Sequence, residues 1–339
     1  MKKFIAILLS ILTLFSIASC SGNTGALNSG NDNSTAEDAA GYDQQNLLLG
    51  TSSAGGTYYV LGAGWSNVLN QKLDHVDITC EVSAGPSTNM QLMNSGEMDL
   101  GMVTSWLGGE AYTGTGWAEE TGAMDTFRSM FTTHVSYLYI IALADSPIET
   151  VRDLDGKNVA ASTAGSTSDL ASQGVMEALG ITPKNYSQLP SESQINALKD
   201  GTIDAILAVQ GAPASILLDL QTTHDIKLIT IPDDDMDKIL EAYPFWSTDI
   251  IPAGTYNNQA EDYTCISFWN FIAAHVNVPE EVVYDMVKTT YENYDDMLAI
   301  DSAAVGMDLA NLSKMTIPLH PGALKYYEEI GLDIPDSLK

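Results

Sequence analysis

The sequence predicts an α/β fold in two lobes, each built on a parallel sheet, with two crossing hinge strands between them. Three observations predict it. A strand, a loop of small residues and a helix follow one another from Leu47 and again from Val159. A helix end, Gly, two residues, Asp and a strand recur at 92–100 and 198–206, in the same position of each lobe. Two long apolar runs, 135–144 and 266–278, lie between these units, as a chain that passes twice between lobes requires.

Each element has a local reason. Residues 47–50 form an apolar strand ending in Gly50, and a Gly-rich loop over 51–57 leads into a helix with Val60, Leu61, Gly64 and Val68 on one face. Val76, Ile78, Cys80 and Val82 alternate along a second strand. Ser87 stands where a helix N-cap belongs, and Gly96 closes that helix. Residues 99–103 form a third strand. In the second lobe, 159–161 is a strand and 162–168 a loop of small residues. A helix over 169–179 follows and is closed by Gly180. Helices near 280–299 and 324–330 finish the chain. Strands alternating with helices imply parallel sheets covered on both faces.

Lobe 1 is expected at 46–140 and 272–339, and lobe 2 at 141–271. The 339 residues fit about two domains of roughly 150 each. Hydrophobic residues make up 45% and charged residues 17%, which suits a folded body with a sizeable core. Lys and Arg total 14 against 44 Asp and Glu, for a formal charge of −30. A nucleic-acid partner is excluded, because phosphate binding needs a basic face. Three cysteines are too few for a disulfide scaffold or a four-thiolate zinc site. Cys80 and Cys265 either pair or stay free; their spacing does not decide.

The N-terminus reads as an export signal. Lys2 and Lys3 precede a short apolar run over 4–15, too short to span a bilayer. Small residues then lead to Cys20. This resembles a bacterial lipobox, so 1–19 is expected to be a signal peptide and Cys20 the lipidated residue. Acyl chains there would anchor the protein to the membrane. Residues 20–45, rich in Ser, Gly, Asn and Thr, are expected to be a flexible tether. The body is then extracytoplasmic, at the outer face of the cell membrane or in the periplasm.

Ligands of parallel α/β sheets bind beyond the carboxyl ends of the strands. The candidates there are Gly55, Gly56, Thr57, Tyr58 and Tyr59; then Gly85 and Ser87; then Thr104 and Ser105. Lobe 2 offers Thr163, Ser166, Thr167 and Ser168, with Gln210 and Gly211. These are hydroxyls, glycines and helix starts, whose free N–H groups attract anions. That matters in a chain whose arginines are Arg128 and Arg152 alone. Each loop has a plainer reading as a steric turn or a simple cap. Tyr58 and Tyr59 either pack the lobe or stack on a ligand.

Other chemistries find little support. There is no G-x-G-x-x-G, no P-loop, no G-x-S-x-G and no H-E-x-x-H. No cofactor and no metal is expected. His75, His134, His224, His275 and His320 stand apart in sequence and read as structural. Asp233, Asp234, Asp235 and Asp237 lack the spacing of a calcium loop and read as a solvated helix start.

Seven segments carry a resemblance: 55–62, 84–89, 99–103, 154–160, 201–205, 251–256 and 318–323. The Gly-Gly-Thr-Tyr-Tyr of 55–59 and the Ala-Gly-Thr-Tyr of 253–256 are the most specific of them. In this order the chain resembles the TAXI family, the extracytoplasmic solute receptors of tripartite ATP-independent periplasmic (TRAP) transporters. The resemblance spans about 47–330. It implies a type II-like periplasmic-binding-protein fold that closes on a small carboxylate, such as glutamate or 2-oxoglutarate. It also implies delivery of that solute to TRAP permease subunits in the membrane. Tyr256 joins the candidate ligand residues on this ground. The chain departs from the family at Thr104-Ser105-Trp106, where a Gln or Asp is common. The alternatives are a receptor for an ABC importer, a ligand sensor for a histidine kinase and, weakest, a lipid-anchored hydrolase. The expectation is a binding protein and not an enzyme.

Overall fold

The structure, a computed structural model, describes residues 43–243 and 245–339. The expected signal peptide, Cys20 and the tether up to residue 42 lie outside the described residues. The tether was expected to run to residue 45, but Gln45 already stands in the first strand.

In the first lobe the elements run β1 (Gln45–Gly50), α1 (Thr57–Lys72), β2 (Val76–Glu81), α2 (Pro86–Ser95), β3 (Leu100–Thr104) and α3 (Ser105–Thr113). The long strand β4 (Phe127–Leu143) leads out of it. The second lobe holds β5 (Asn158–Ala161), α4 (Thr167–Leu179), β6 (Asn185–Gln188), α5 (Ser191–Lys199) and β7 (Ala205–Gln210). It continues with α6 (Ser215–Gln221), β8 (Ile226–Leu228), α7 (Asp233–Ala242) and β9 (Ser247–Ile251). The long strand β10 (Tyr263–His275) leads back, and α8 (Glu280–Glu292), α9 (Tyr294–Ile300) and α10 (Pro321–Glu329) complete the chain.

The ten strands of the described residues belong to one curled sheet, in the order β2-β1-β3-β10-β4-β7-β5-β6, with β8 on β4 and β9 on β10. The pairs β1–β2, β1–β3, β5–β6 and β5–β7 are parallel, as expected of each lobe. The crossing strands are not. β10 runs antiparallel to β3 and β4, and β4 antiparallel to β7, so the sheet is mixed. Both crossing strands change partners midway. β4 passes from β10 to β7 at Tyr137, which pairs with both Ser267 and Gln210. β10 passes from β9, which it leaves at Ser267, to β3, which it meets at Asn270. This is the two-lobed, type II-like architecture, with β4 and β10 as the crossing strands.

The repeated Gly-x-x-Asp motif has one structural meaning in both lobes. Gly96 and Gly201 end their helices with φ of +76° and +68°. Asp99 Oδ2 then accepts from Leu48 N at 2.9 Å, and Asp204 Oδ2 from Asn158 N at 2.8 Å. Each Asp N–H returns a bond to the carbonyl of that same residue. The motif therefore clips the start of each lobe's inner strand to its neighbour.

Several local expectations need correction. The buried face of α1 carries Tyr58, Leu61, Gly62, Trp65 and Leu69, while Val60 is exposed. The larger aromatic row, spaced three and four residues apart, wins the contact with the sheet. Ser87 is not a cap: Gly85 caps α2 and Ser87 lies one turn position inside. α4 starts at Thr167, with Ser166 as cap, accepting from Asp169 N at 3.2 Å. The helix expected at 280–299 breaks at Asn293. β4 starts eight residues before residue 135, where the expected run began. Asp235 is buried, not solvated, because Arg152 and Lys238 both hold its carboxylate. Cys80 and Cys265 are both free thiols. Burial pushes the Cys265 thiol up to about 12.

Candidate functional site

The carboxyl ends of β1, β2, β5 and β7 point toward one cavity of about 60 Å³ between the lobes. Its wall includes Gly56, Thr57, Tyr58 and Gly85 from lobe 1. Thr163, Ser166, Thr167, Ser168 and Gln210 line it from lobe 2. None of the lining residues is Lys, Arg, Asp or Glu. Arg128 instead donates to Asp125 O and Phe127 O, and Arg152 to Asp235.

Four helix starts meet at this wall: Gly56 of α1, Gly85 of α2, Ser166 of α4 and Ser191 of α5. The caps of α1, α2 and α5 make no side-chain bond to their first turns. Uncapped first-turn amides carry the positive end of the helix dipole and can donate to an anionic oxygen. α4 differs. Its N-cap bond is made, and buried Asp169 in its first turn accepts from Gly165 N, Gln173, Tyr186 and Gln188. Asp169 thus fixes the 163–166 loop and offsets part of that dipole. In lobe 1 Asn89 braces the end of β1 against β3 instead, its Nδ2 within hydrogen-bond distance of the carbonyls of Gly50, Thr51 and Met102.

The lobes touch directly. Thr104 Oγ1 lies 2.7 Å from Thr167 Oγ1. Ser87 donates to Gly165 O, and Thr163 to Ala84 O at 3.1 Å. Gly211 N donates to Thr57 Oγ1, and Ser215 to Gly55 O, both at 3.1 Å. The pair is closed. About 60 Å³ holds a few waters or a very small solute, so a larger guest requires the lobes to stand further apart.

Behind the cavity runs a chain of hydroxyls. Tyr58 donates to Asn270 Oδ1 at 2.6 Å. Thr104 Oγ1 lies 2.8 Å from the Tyr58 hydroxyl, 3.2 Å from Asn270 Oδ1 and 2.7 Å from Thr167 Oγ1. Asn270 Nδ2 donates to Ser136 Oγ at 2.9 Å, and Ser136 is 3.1 Å from His134 Nε2. Burial holds His134 down at about 3, so it is neutral. Desolvation likewise pushes Tyr58 well above the ordinary phenol range. The chain links both lobes to both crossing strands.

The remaining candidates sit apart from the cavity wall. Gly55, Ser87, Thr104 and Gly211 make the interlobe bonds above. Ser105 is buried beside Thr316, which donates to its carbonyl. Tyr59 is half-buried on α1. Tyr256 belongs to the lobe 2 core: its hydroxyl pairs with Tyr139 at 2.8 Å and accepts from Ala214 N at 2.7 Å. Sequence reasoning missed Ser52, Ser53, His134, Ser136 and Gln194, all in the wall. The extended Ser run before Gly55 was a usable signal for the first two. A lone His on a strand and a Gln on a helix carry none.

A family model described as the NMT1-like family matches residues 49–331. The chain belongs to the NMT1-like family. Among solved structures, the periplasmic binding protein BugD superposes with a TM-score of 0.51 at 13% identity, over 87% of this chain and 100% of BugD. A putative L-cystine ABC transporter protein from Listeria monocytogenes gives 0.48 at 12%, over 77% and 96%. A structure from work on glutathione import via GshT and the cystine ABC importer TcyBC of Streptococcus mutans gives 0.48 at 13%, over 81% and 100%. The likeness to BugD establishes that this NMT1-like chain shares the two-lobed periplasmic-binding-protein fold. No helix of the described residues is long and apolar enough to cross a membrane.

Proposed function

We propose that this chain is an extracytoplasmic solute-binding protein that captures a small carboxylate between its lobes and delivers it to a membrane permease. One observation carries the reading: uncapped helix starts from both lobes converge on an uncharged, hydroxyl-lined cavity. Main-chain amides can hold a carboxylate there despite the formal charge of −30. The membership in the NMT1-like family and the likeness to BugD support a binding role. No covalent step belongs to it.

The lobes are taken as 46–140 with 272–339, and 141–271. A guest that touches both lobes favours the closed arrangement by its differential contacts. The resemblance of 55–62 and 251–256 to TAXI receptors favours a TRAP permease, and glutamate or 2-oxoglutarate as the solute class. An ABC-importer permease is the second reading of the partner, since the cystine and glutathione proteins above are tied to ABC import in their names. Cys20 is proposed as the lipidated anchor that holds the body at the outer face of the membrane.

Titration calorimetry and thermal melting with a panel of short dicarboxylates and amino acids test the capture step. Binding should raise the melting temperature by mass action. No heat and no shift with any of them would remove the carboxylate reading. Labelling with radioactive palmitate, lost in Cys20→Ala, tests the anchor.

A further inference from the structure

We propose that Gln194 selects solutes carrying a hydrogen-bond donor, so that the site takes hydroxy or amino acids over their oxo counterparts. The inference rests on the carboxylate reading above and narrows it. Gln194 lines the cavity from α5 and is 1% exposed. Its Nε2 donates to Leu189 O at 2.6 Å, which fixes the orientation of the amide. Its Oε1 is buried and accepts no hydrogen bond. Among the described residues, the other orphaned side-chain atoms of the core, such as those of Ser66, Ser105 and Trp246, do not line this cavity.

A buried acceptor left unmet is costly, and a bound donor removes that cost. Thr167 adds a second acceptor. Its hydroxyl oxygen, 2.7 Å from Thr104 Oγ1, keeps a lone pair that a guest's donor can reach. Helix-start amides and these acceptors in one wall suit a molecule with a carboxylate and a separate O–H or N–H. An oxo acid satisfies the amides and leaves Gln194 Oε1 unpaired. Sites built around such a group reject the analogue that lacks the donor.

The test is calorimetry on the full-length protein with matched probes: lactate against pyruvate, both enantiomers of 2-hydroxyglutarate against 2-oxoglutarate, and L-glutamate. We expect a donor-bearing acid to bind at least about tenfold more tightly than its oxo partner, the scale of one buried hydrogen bond. In Gln194→Met the preference should shrink to about threefold or less. Gln194→Leu removes the same acceptor with a different shape, should shrink the preference likewise, and serves if the Met variant does not fold. Equal binding of oxo and hydroxy acids by the wild type overturns the proposal while leaving the carboxylate reading intact. A preference that survives unchanged in a folded Gln194→Met also overturns it. Binding of none of the acids overturns the carboxylate reading, and the inference falls with it.

Discussion

Thr104, the last residue of β3, and Thr167, the first residue of α4, place their hydroxyl oxygens 2.7 Å apart across the lobe boundary. The contact joins the two lobes through the same hydroxyl chain that ends on the crossing strands at Asn270 and His134. One hydrogen-bonded system therefore spans the lobe contact and both crossing strands.

Thr167→Val keeps the shape of the side chain and removes the cross-lobe bond. We expect solute affinity to fall by about five- to tenfold, the scale of a net hydrogen bond. X-ray scattering without solute should show a larger radius of gyration. An unchanged radius and affinity would mean the bond plays no part in closure.

Tyr58→Phe leaves Asn270 Oδ1 and Thr104 short of a partner in the core. The cost should be about 1–3 kcal/mol of unfolding free energy, measured by urea denaturation. Asn270→Ala should cost as much, and the double variant less than the sum, because the two share one network.

Gly165 has φ of +76°, and a Cβ there would stand 2.6 Å from Ser87 Oγ. Gly165→Ala should strain the 163–166 loop and push the lobes apart. Calorimetry should report weakened binding, while the unfolding free energy from urea denaturation falls by only about 1 kcal/mol, as such backbone strain implies.

Stability should fall with acid in two windows. Burial holds His134 at about 3 and His320 at about 4, below the ordinary value of 6.5. The unfolded chain therefore takes up these protons first, and stability is lost as pH falls from about 6.5 toward those values. His134→Gln should flatten part of this slope in urea titrations. Arg152 holds Asp235 down at about 2, so its contribution is present above the ordinary carboxylate value and is lost as pH falls from about 4 through about 2. Asp235→Asn should remove the Asp235 share of that second window, while Asp153, held down by the Thr150 and Glu149 amides, keeps its own.

The clip formed by Asp99 and Asp204 gives a paired test. Asp99→Ala and Asp204→Ala should each cost about 1 kcal/mol or a little more and should add, since they act in separate lobes. Strong coupling between them in urea denaturation would contradict independent clips.

Much of the scaffold was legible in the residues. The alternation at 76–80, the glycines at 96 and 180, and the Gly-x-x-Asp echo each report a local steric or hydrogen-bonding demand. Neighbouring positions feel such demands whatever the rest of the chain does. The loops at 55–58 and 163–168 were legible for the same reason, because helix starts and small-residue turns sit at strand ends. Tyr256 misled, since its sequence context matched a motif while its hydroxyl serves the core of lobe 2. Asp235 misled because its partner Arg152 lies 83 positions away.

The sequence by itself determined the α/β alternation, the two long apolar strands, an acidic chain without basic binding loops, and the short apolar start before Cys20. Only the tertiary structure decided that β4 and β10 merge both lobes into one mixed sheet. It also decided that Thr104 meets Thr167, and that His134 and Gln194 face the cavity. The reason is physical. Turns, caps and alternation are set by residues within a few positions of one another. The shared cavity is set by side chains from distant segments, which meet only when two lobes close and bury them.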